Sequence, residues 1–238
     1  MKTDKLDIRH MDCMELMKQY PDNHFDLAVV DPPYGIKVTK NGKIGQTGRG
    51  QRKGGSYAHV STFEKKDWDD RSPTAEYFDE LKRVSKNQII WGANHMMSEI
   101  MMSSSSWIVW DKVTGTNDFA DCELAYTSHK KAARICKYMW NGYMQGNSVG
   151  SETQIGNHKK SEKRIHPTQK PVKLYDWIFA NYAEKGMNIL DTHLGSGSIA
   201  IAAHYAEMHL TACELDEDYY KAACERIHIE TSQTILNL

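Results

Sequence analysis

A short apolar run, Phe25-Asp26-Leu27-Ala28-Val29-Val30, is halted by two adjacent prolines. Six residues of this kind predict a buried parallel strand over Phe25–Val30. Pro32 and Pro33 end it, because proline gives a sheet no ladder N–H. A carboxylate, a rigid turn, an aromatic and a glycine follow as Asp31-Pro32-Pro33-Tyr34-Gly35. In open α/β sheets ligands bind beyond the carboxyl ends of the strands. This set suits a flat, hydrogen-bonding ring. The Asp31 carboxylate and a backbone C=O freed by the prolines accept two N–H bonds, while Tyr34 stacks. A Pro-Pro turn with a surface tyrosine is the plainer reading, and the strand before it favours the functional one.

The rest of the chain alternates strand-like and helical runs, which predicts an α/β fold with a doubly wound, mostly parallel sheet. Strands are expected at Leu6–His10, Gln88–Trp91, Trp107–Trp110, Asp121–Ser128, Met187–Leu190 and His209–Cys213, with Ile135–Met144 as an edge strand. Helices are expected over Cys13–Tyr20, from Ser72-Pro73 to about Ser85, from Pro171 to a stop at Gly186, over Ile199–Glu207 and over Asp218–Thr231. Met96–Met102 reads as a helical turn. The chain reads as one domain, residues 1–238, with two long inserts and no repeats. Loops of such length inside a domain are functional or disordered. Residues 36–68 are rich in glycine and base: six Lys or Arg and no acid lie between Ile36 and Val60. Residues 145–165 are polar and read as a mobile loop.

The net charge of −1 announces no nucleic-acid partner, so the basic stretches carry that reading. Phosphate contacts by Lys and Arg are the expected use of the first insert, which DNA would order. The five cysteines have no metal-like spacing and suit a reducing cytoplasm. No metal site, signal segment or membrane span is expected.

A second motif lies near the carboxyl terminus. Asn188-Ile189-Leu190-Asp191 reads as a strand, then Thr192-His193-Leu194-Gly195-Ser196-Gly197-Ser198 turns into a helix. Glycines between strand and helix let a ligand approach the backbone. The next strand ends at Glu214, where an acid can accept both hydroxyls of a ribose. G-x-G-x-x-G and G-x-x-x-x-G-K-[ST] are both missing, which points to a nucleoside cofactor without phosphates.

Together these motifs resemble the amino-group DNA methyltransferases of the permuted β-group. There the D-P-P-Y block comes first and the glycine loop last, as Asp31–Tyr34 and Gly195–Gly197 do here. The family's H-P-T-Q-K-P block appears as His166-Pro167-Thr168-Gln169-Lys170-Pro171, and its G-D-C opening as Met11-Asp12-Cys13. The usual D-P-F-x-G-S-G-T keeps its glycines but loses a proline and an aromatic, replaced by Thr192 and His193.

The resemblance implies a circularly permuted, Rossmann-like methyltransferase domain that uses S-adenosyl-L-methionine. Asp12, with the Cys13 backbone, would take the cofactor adenine, and Glu214 the ribose. Asp191, Gly195, Ser196 and Gly197 would shape the methionine end. Thr168 and Lys170 would bind the cofactor carboxylate. Asp31, Pro32, Pro33 and Tyr34 would be catalytic, with Asp31 also lining the cofactor. The target would be an adenine N6 in double-stranded DNA, flipped out of the helix. A restriction-modification role, a bacterial or phage-infected cytoplasm and a homodimer also follow. Cytosine N4 is the alternative target. A non-catalytic DNA-binding or partner subunit is a third reading, weakened because all the motif residues are present.

Overall fold

The computed structural model describes residues 1–37, 43–44, 61–62, 66, 68–100, 103–113, 120–141, 144–151, 153–154 and 161–232. The chain opens with β1 (Leu6–His10), α1 (Cys13–Met17) and β2 (Leu27–Val30). Two-residue strands β3 (Lys43–Ile44) and β4 (Ser61–Thr62) pair antiparallel. Then come α2 (Ala75–Val84), β5 (Gln88–Trp91), a 3-10 turn at Ala93–His95 and α3 (Met97–Ile100). Next are β6 (Trp107–Asp111), β7 (Cys122–Thr127), β8 (Arg134–Lys137) and a hairpin of β9 (Trp140–Asn141) and β10 (Met144–Gln145). The carboxyl-terminal part is α4 (Val172–Tyr182), β11 (Asn188–Asp191), α5 (Ser198–Tyr205), β12 (His209–Glu214) and α6 (Glu217–Ser232).

Eight strands form one sheet in the order β1-β12-β11-β2-β5-β7-β6-β8. The first five run parallel, β7 runs antiparallel to both its neighbours, and β8 runs parallel to β6. Side chains alternate across a strand, so each strand feeds two cores. Leu27 and Val29 of β2 join the core that contains Leu174, Ile178, Ile199 and Ile227 of α4, α5 and α6. Ala28 and Val30 join the opposite core with Leu16, Phe78, Leu81 and Ile100 of α1, α2 and α3. Helices therefore cover both faces, the doubly wound arrangement that the sequence predicts.

The topology fixes which residues share the ligand edge. That edge holds the carboxyl ends of β1, β12, β11, β2, β5 and β6. Because β7 runs the other way, it delivers its first residues there, with Glu123 paired to Trp110 and Cys122 to Asp111.

Several boundaries differ from expectation. Pro73 lies outside α2, whose N-cap is Thr74 in extended backbone. α4 stops at Ala183, and Gly186 (φ 84°) instead turns the chain towards β11. The single strand expected over Ile135–Met144 is split into β8, β9 and β10, with Tyr138 and Met139 outside any strand. Within 145–165, Gly146 bridges to Gln154, and Glu162 is held by three neighbours, Gln145, Val172 and Arg226. The described parts of that segment are thus tied down. Most of the basic insert, including Lys40, Arg49, Arg52 and Lys53, lies outside the described residues. Near its exit, Lys66 is anchored to Asp216 at 2.7 Å and Asp218 at 2.8 Å.

Candidate active site

Asp31-Pro32-Pro33-Tyr34 continues β2 into a turn at the ligand edge. One buried carboxylate from the far end of the insert shapes this turn. Asp69 Oδ1 accepts the N–H of Tyr34 and that of Gly35, each at 3.0 Å. Gly35 sits at φ 73°, and a Cβ there would come 2.9 Å from the Ser72 nitrogen. The turn thus needs glycine for both conformation and space. Among the described residues no donor meets the Pro32 carbonyl.

The Tyr34 ring does not project freely. It stacks on the His95 imidazole, with centroids 5.3 Å apart and planes 16° from parallel. It also lies against Gly92, where an added Cβ would fall 2.1 Å from Tyr34 Cε1. The Tyr34 hydroxyl donates to Asp31 Oδ1 at 2.7 Å and accepts from Lys170 Nζ at 3.0 Å.

Lys170 departs from expectation. The resemblance assigns it to a cofactor carboxylate, yet its ammonium sits 2.6 Å from Asp31 Oδ1 and 3.1 Å from Glu123 Oε2. Its side chain is 3% exposed, so it belongs to this charge cluster and not to an open surface. Lys112 closes the far side of Glu123. Burial alone would lower the Lys170 pKa, but Asp31 and Glu123 together outweigh it and raise it. Burial likewise pushes Glu123 up, and the two lysines outweigh it, holding the carboxyl at about 2. For Asp31 burial wins over Lys170, and its pKa is raised. Tyr34 is raised too, first by burial and then by Asp31, so it remains a donor.

The second half of the site lies two strands across. Glu214 ends β12 and accepts the Gly195 N–H at 2.8 Å and the Asp216 N–H at 3.0 Å. The glycine turn has Gly195 at φ 53° and Gly197 at φ 74°. A Cβ on Gly197 would meet Ile227 at 2.9 Å, so this glycine lets α5 pack on α6. Burial lifts the Asp191 carboxyl to about 8, although it accepts the His193 N–H. Asp12 Oδ1 caps α1 through the Met14 and Glu15 N–H groups. Burial pushes the Cys13 thiol to about 11, an inert group as expected of a core-facing cysteine. Thr168 is exposed and its hydroxyl meets His166 Nδ1 at 3.2 Å. Ser196 gives its carbonyl to buried Arg226 at 2.8 Å.

The departures from the family turn have structural partners. The Thr192 hydroxyl meets Tyr77 OH at 2.6 Å, and His193 packs edge-on against the Tyr77 ring. Burial holds His193 at about 4 and His166 at about 3, so both are neutral. Trp110 is a core side chain, and Asn94 is exposed.

Four residues of the site escape sequence reading: Asp69, Gly92, His95 and Glu123. Two left a signal. Gly92 ends a buried strand at the ligand edge, and Glu123 is a lone charge within Cys122–Thr127. Asp69 and His95 left none.

The arrangement offers chemistry of one kind. A carboxylate, a phenol and the Pro32 carbonyl stand together in one turn, and three acids stand on adjacent strand tips beside a glycine turn. A bound cation would relieve Asp191, whose charged form burial disfavours. These residues fit a nucleoside cofactor that carries positive charge.

The chain is similar to several known proteins in sequence and in fold. Residues 122–225 match the model of the N6_N4_Mtase family, DNA methylase. Type II methyltransferase M2.MboI of Moraxella bovis is 24% identical over 91% of this chain and 85% of its own length. Type II methyltransferase M2.DpnII of Streptococcus pneumoniae is 26% identical over 95% of this chain and 91% of its own. The crystal structure of the M1.HpyAVI-SAM complex shares the fold, with a TM-score of 0.53 at 18% identity over 93% of this chain and 99% of that one. Among the described residues no helix is long and apolar enough to cross a membrane, and no group of three or more His, Cys, Asp or Glu is placed to hold a metal. In its matched segment, its doubly wound sheet and its Asp31–Tyr34 turn on the same sheet edge as a glycine loop, the chain is similar to the N6/N4 DNA methylases.

Proposed function

We propose that the protein transfers a methyl group from S-adenosylmethionine to the N6 amine of an adenine extruded from duplex DNA. The carrying observation is the placement of Asp31 and Tyr34 on the strand tip next to that of Asp191 and the glycine turn. Glu214, Asp12 and the Gly195–Gly197 backbone are the groups that would hold the cofactor. It supplies a methyl carbon bonded to a cationic sulfur.

An adenine N6 is a poor nucleophile because its lone pair is delocalised into the ring. One N–H bond to Asp31 and one to the Pro32 carbonyl favour a pyramidal nitrogen with its lone pair directed out of the ring plane. The proton shed by N6 on methylation has the Asp31 carboxylate at the end of its own hydrogen bond. Fixing two reactants in this geometry supplies up to about 7–11 kcal/mol. Preorganised acceptors also stabilise the charge that develops on nitrogen. Tyr34 would stack on the base after leaving or sharing His95, a contact worth about 1–3 kcal/mol. The basic residues of the first insert suit the phosphate backbone, which gives a salt-dependent affinity.

The test is methyl transfer to plasmid DNA followed by nucleoside mass analysis. N6-methyladenine is expected in the wild type. N4-methylcytosine alone would reassign the target. No methylated base, with no saturable binding of S-adenosylmethionine, would make the chain a non-catalytic relative. Asp31→Ala and Tyr34→Ala are expected to bind cofactor normally and to lose methylation.

A further inference from the structure

Asp31 is the group on which the proposed chemistry turns, yet in the free protein it already carries two donors on one atom. Oδ1 takes the Tyr34 hydroxyl at 2.7 Å and the Lys170 ammonium at 2.6 Å. A carboxylate oxygen has two lone-pair directions, so Oδ1 is filled. Among the described residues no donor meets Oδ2. Lys170 cannot swing away cheaply: it is 3% exposed, and Glu123 Oε2 lies 3.1 Å from it on the other side. Lys112 pairs with the second oxygen of Glu123, which fixes Glu123 in turn. The result is a buried row of alternating charge, Asp31–Lys170–Glu123–Lys112, drawn from β2, the segment before α4, β7 and the end of β6.

We propose that Lys170, pinned by Glu123, is a positioning residue that keeps Asp31 ionised and turned so that Oδ2 alone receives the target amine. This rests on the methyltransferase reading above. Two effects argue for it. A protonated Asp31 would offer a donor where the amine also offers donors, so the reaction needs the charged form. Burial and the nearby acid Glu123 disfavour that form, and Lys170 is the cation in contact with it. Tyr34 assists as a donor, and among the described residues Tyr175 on α4 and Asp191, itself protonated at neutral pH, also face Asp31. The filled Oδ1 also sets a direction. With one oxygen held by two donors, the carboxylate cannot rotate to present either oxygen at random.

The experiment compares Lys170→Met, Glu123→Gln and the double variant with the wild type. For Lys170→Met the kcat is expected to fall about 100-fold, the usual cost of removing one preorganised electrostatic group. Its affinity for S-adenosylmethionine is expected to change less than about threefold. The acid limb of kcat against pH should move to higher pH, because loss of the cation raises the Asp31 pKa, and activity should partly return as pH rises. Adding Glu123→Gln should move that limb back, since it removes the acid that repels Asp31; a purely structural role gives no such reversal. Direct titration needs no turnover: the 13C carboxyl signal that Asp31→Asn deletes should titrate at higher pH in Lys170→Met and partly recover in the double variant. Should Lys170→Met fail to fold, Glu123→Gln alone is expected to lower the titration point of Asp31. An unchanged titration, or a Lys170→Met enzyme with wild-type kcat and a raised KM for the cofactor, overturns the proposal and returns Lys170 to the cofactor carboxylate. Absence of methylation in the wild type would instead sink the functional reading, with the titration still deciding the role of Lys170.

Discussion

Gly92 decides where the Tyr34 ring lies. At φ 65°, with the tyrosine occupying the space of a Cβ, it permits an approach that no other residue allows. Gly92→Ala is expected to cost about 1–3 kcal/mol of backbone strain and to displace Tyr34. Methylation should fall far more than cofactor binding, read by turnover beside calorimetric titration of S-adenosylmethionine. Asp69 works on the same turn from the other side. Asp69→Ala leaves the Tyr34 and Gly35 N–H groups without their acceptor. A lost buried acceptor costs about 1–3 kcal/mol, so thermal unfolding should move down. Asp69→Asn, which keeps an acceptor oxygen, should restore most of it.

At the scale of elements, the described end of the 145–165 segment is fastened to the Gly195–Gly197 turn through one side chain. Arg226 of α6 donates to the Ser196 carbonyl at 2.8 Å, to Ser198 Oγ at 2.9 Å and to Glu162 Oε2 at 2.9 Å. Burial lifts Glu162 to about 7 against the pull of Arg226. Removing the arginine raises that pKa further above its unfolded value. Such a group loses stability as pH rises through the gap. Arg226→Ala is therefore expected to be more destabilised at pH 8 than at pH 5, by about 3 kcal/mol at the alkaline end, the usual cost of breaking a buried pair. Urea unfolding at the two pH values reads the difference.

Elements were legible where the chain itself carries the signal. Leu6–His10 and Gln88–Trp91 are strands with the bounds expected from the local pattern. The break at Tyr138 was not, because alternation along Ile135–Met144 carries no mark of where the strand is interrupted. The candidate site divides in the same way. Asp31, Tyr34, Gly195, Gly197 and Glu214 stand in contiguous motifs. Glu123 reaches Lys170 only because β7 runs backwards, and Asp69 reaches Tyr34 from 35 residues away. Pairings of that range depend on topology and not on local pattern.

For the whole molecule, three acids gather at the edge where the two motif halves meet. Asp31 and Glu214 each hold the Asp191 pKa up, after burial, which is the larger cause. At neutral pH Asp191 is thus protonated in the free protein. A cationic ligand favours its charged form, so binding of S-adenosylmethionine should release a proton below about pH 8. Calorimetry in two buffers of different ionisation enthalpy measures this release. Asp191→Asn should abolish it and weaken binding.

The central claim concerns what Asp31 and Tyr34 hold. A crystal structure of the protein with duplex DNA and a non-transferable analogue of S-adenosylmethionine tests it directly. The account expects an unstacked adenine on the Tyr34 ring, with N6 within about 2.6–3.2 Å of Asp31 Oδ2 and of the Pro32 carbonyl, facing the donor sulfur. An Asp31 carboxyl remote from both the extruded base and the sulfur would contradict it.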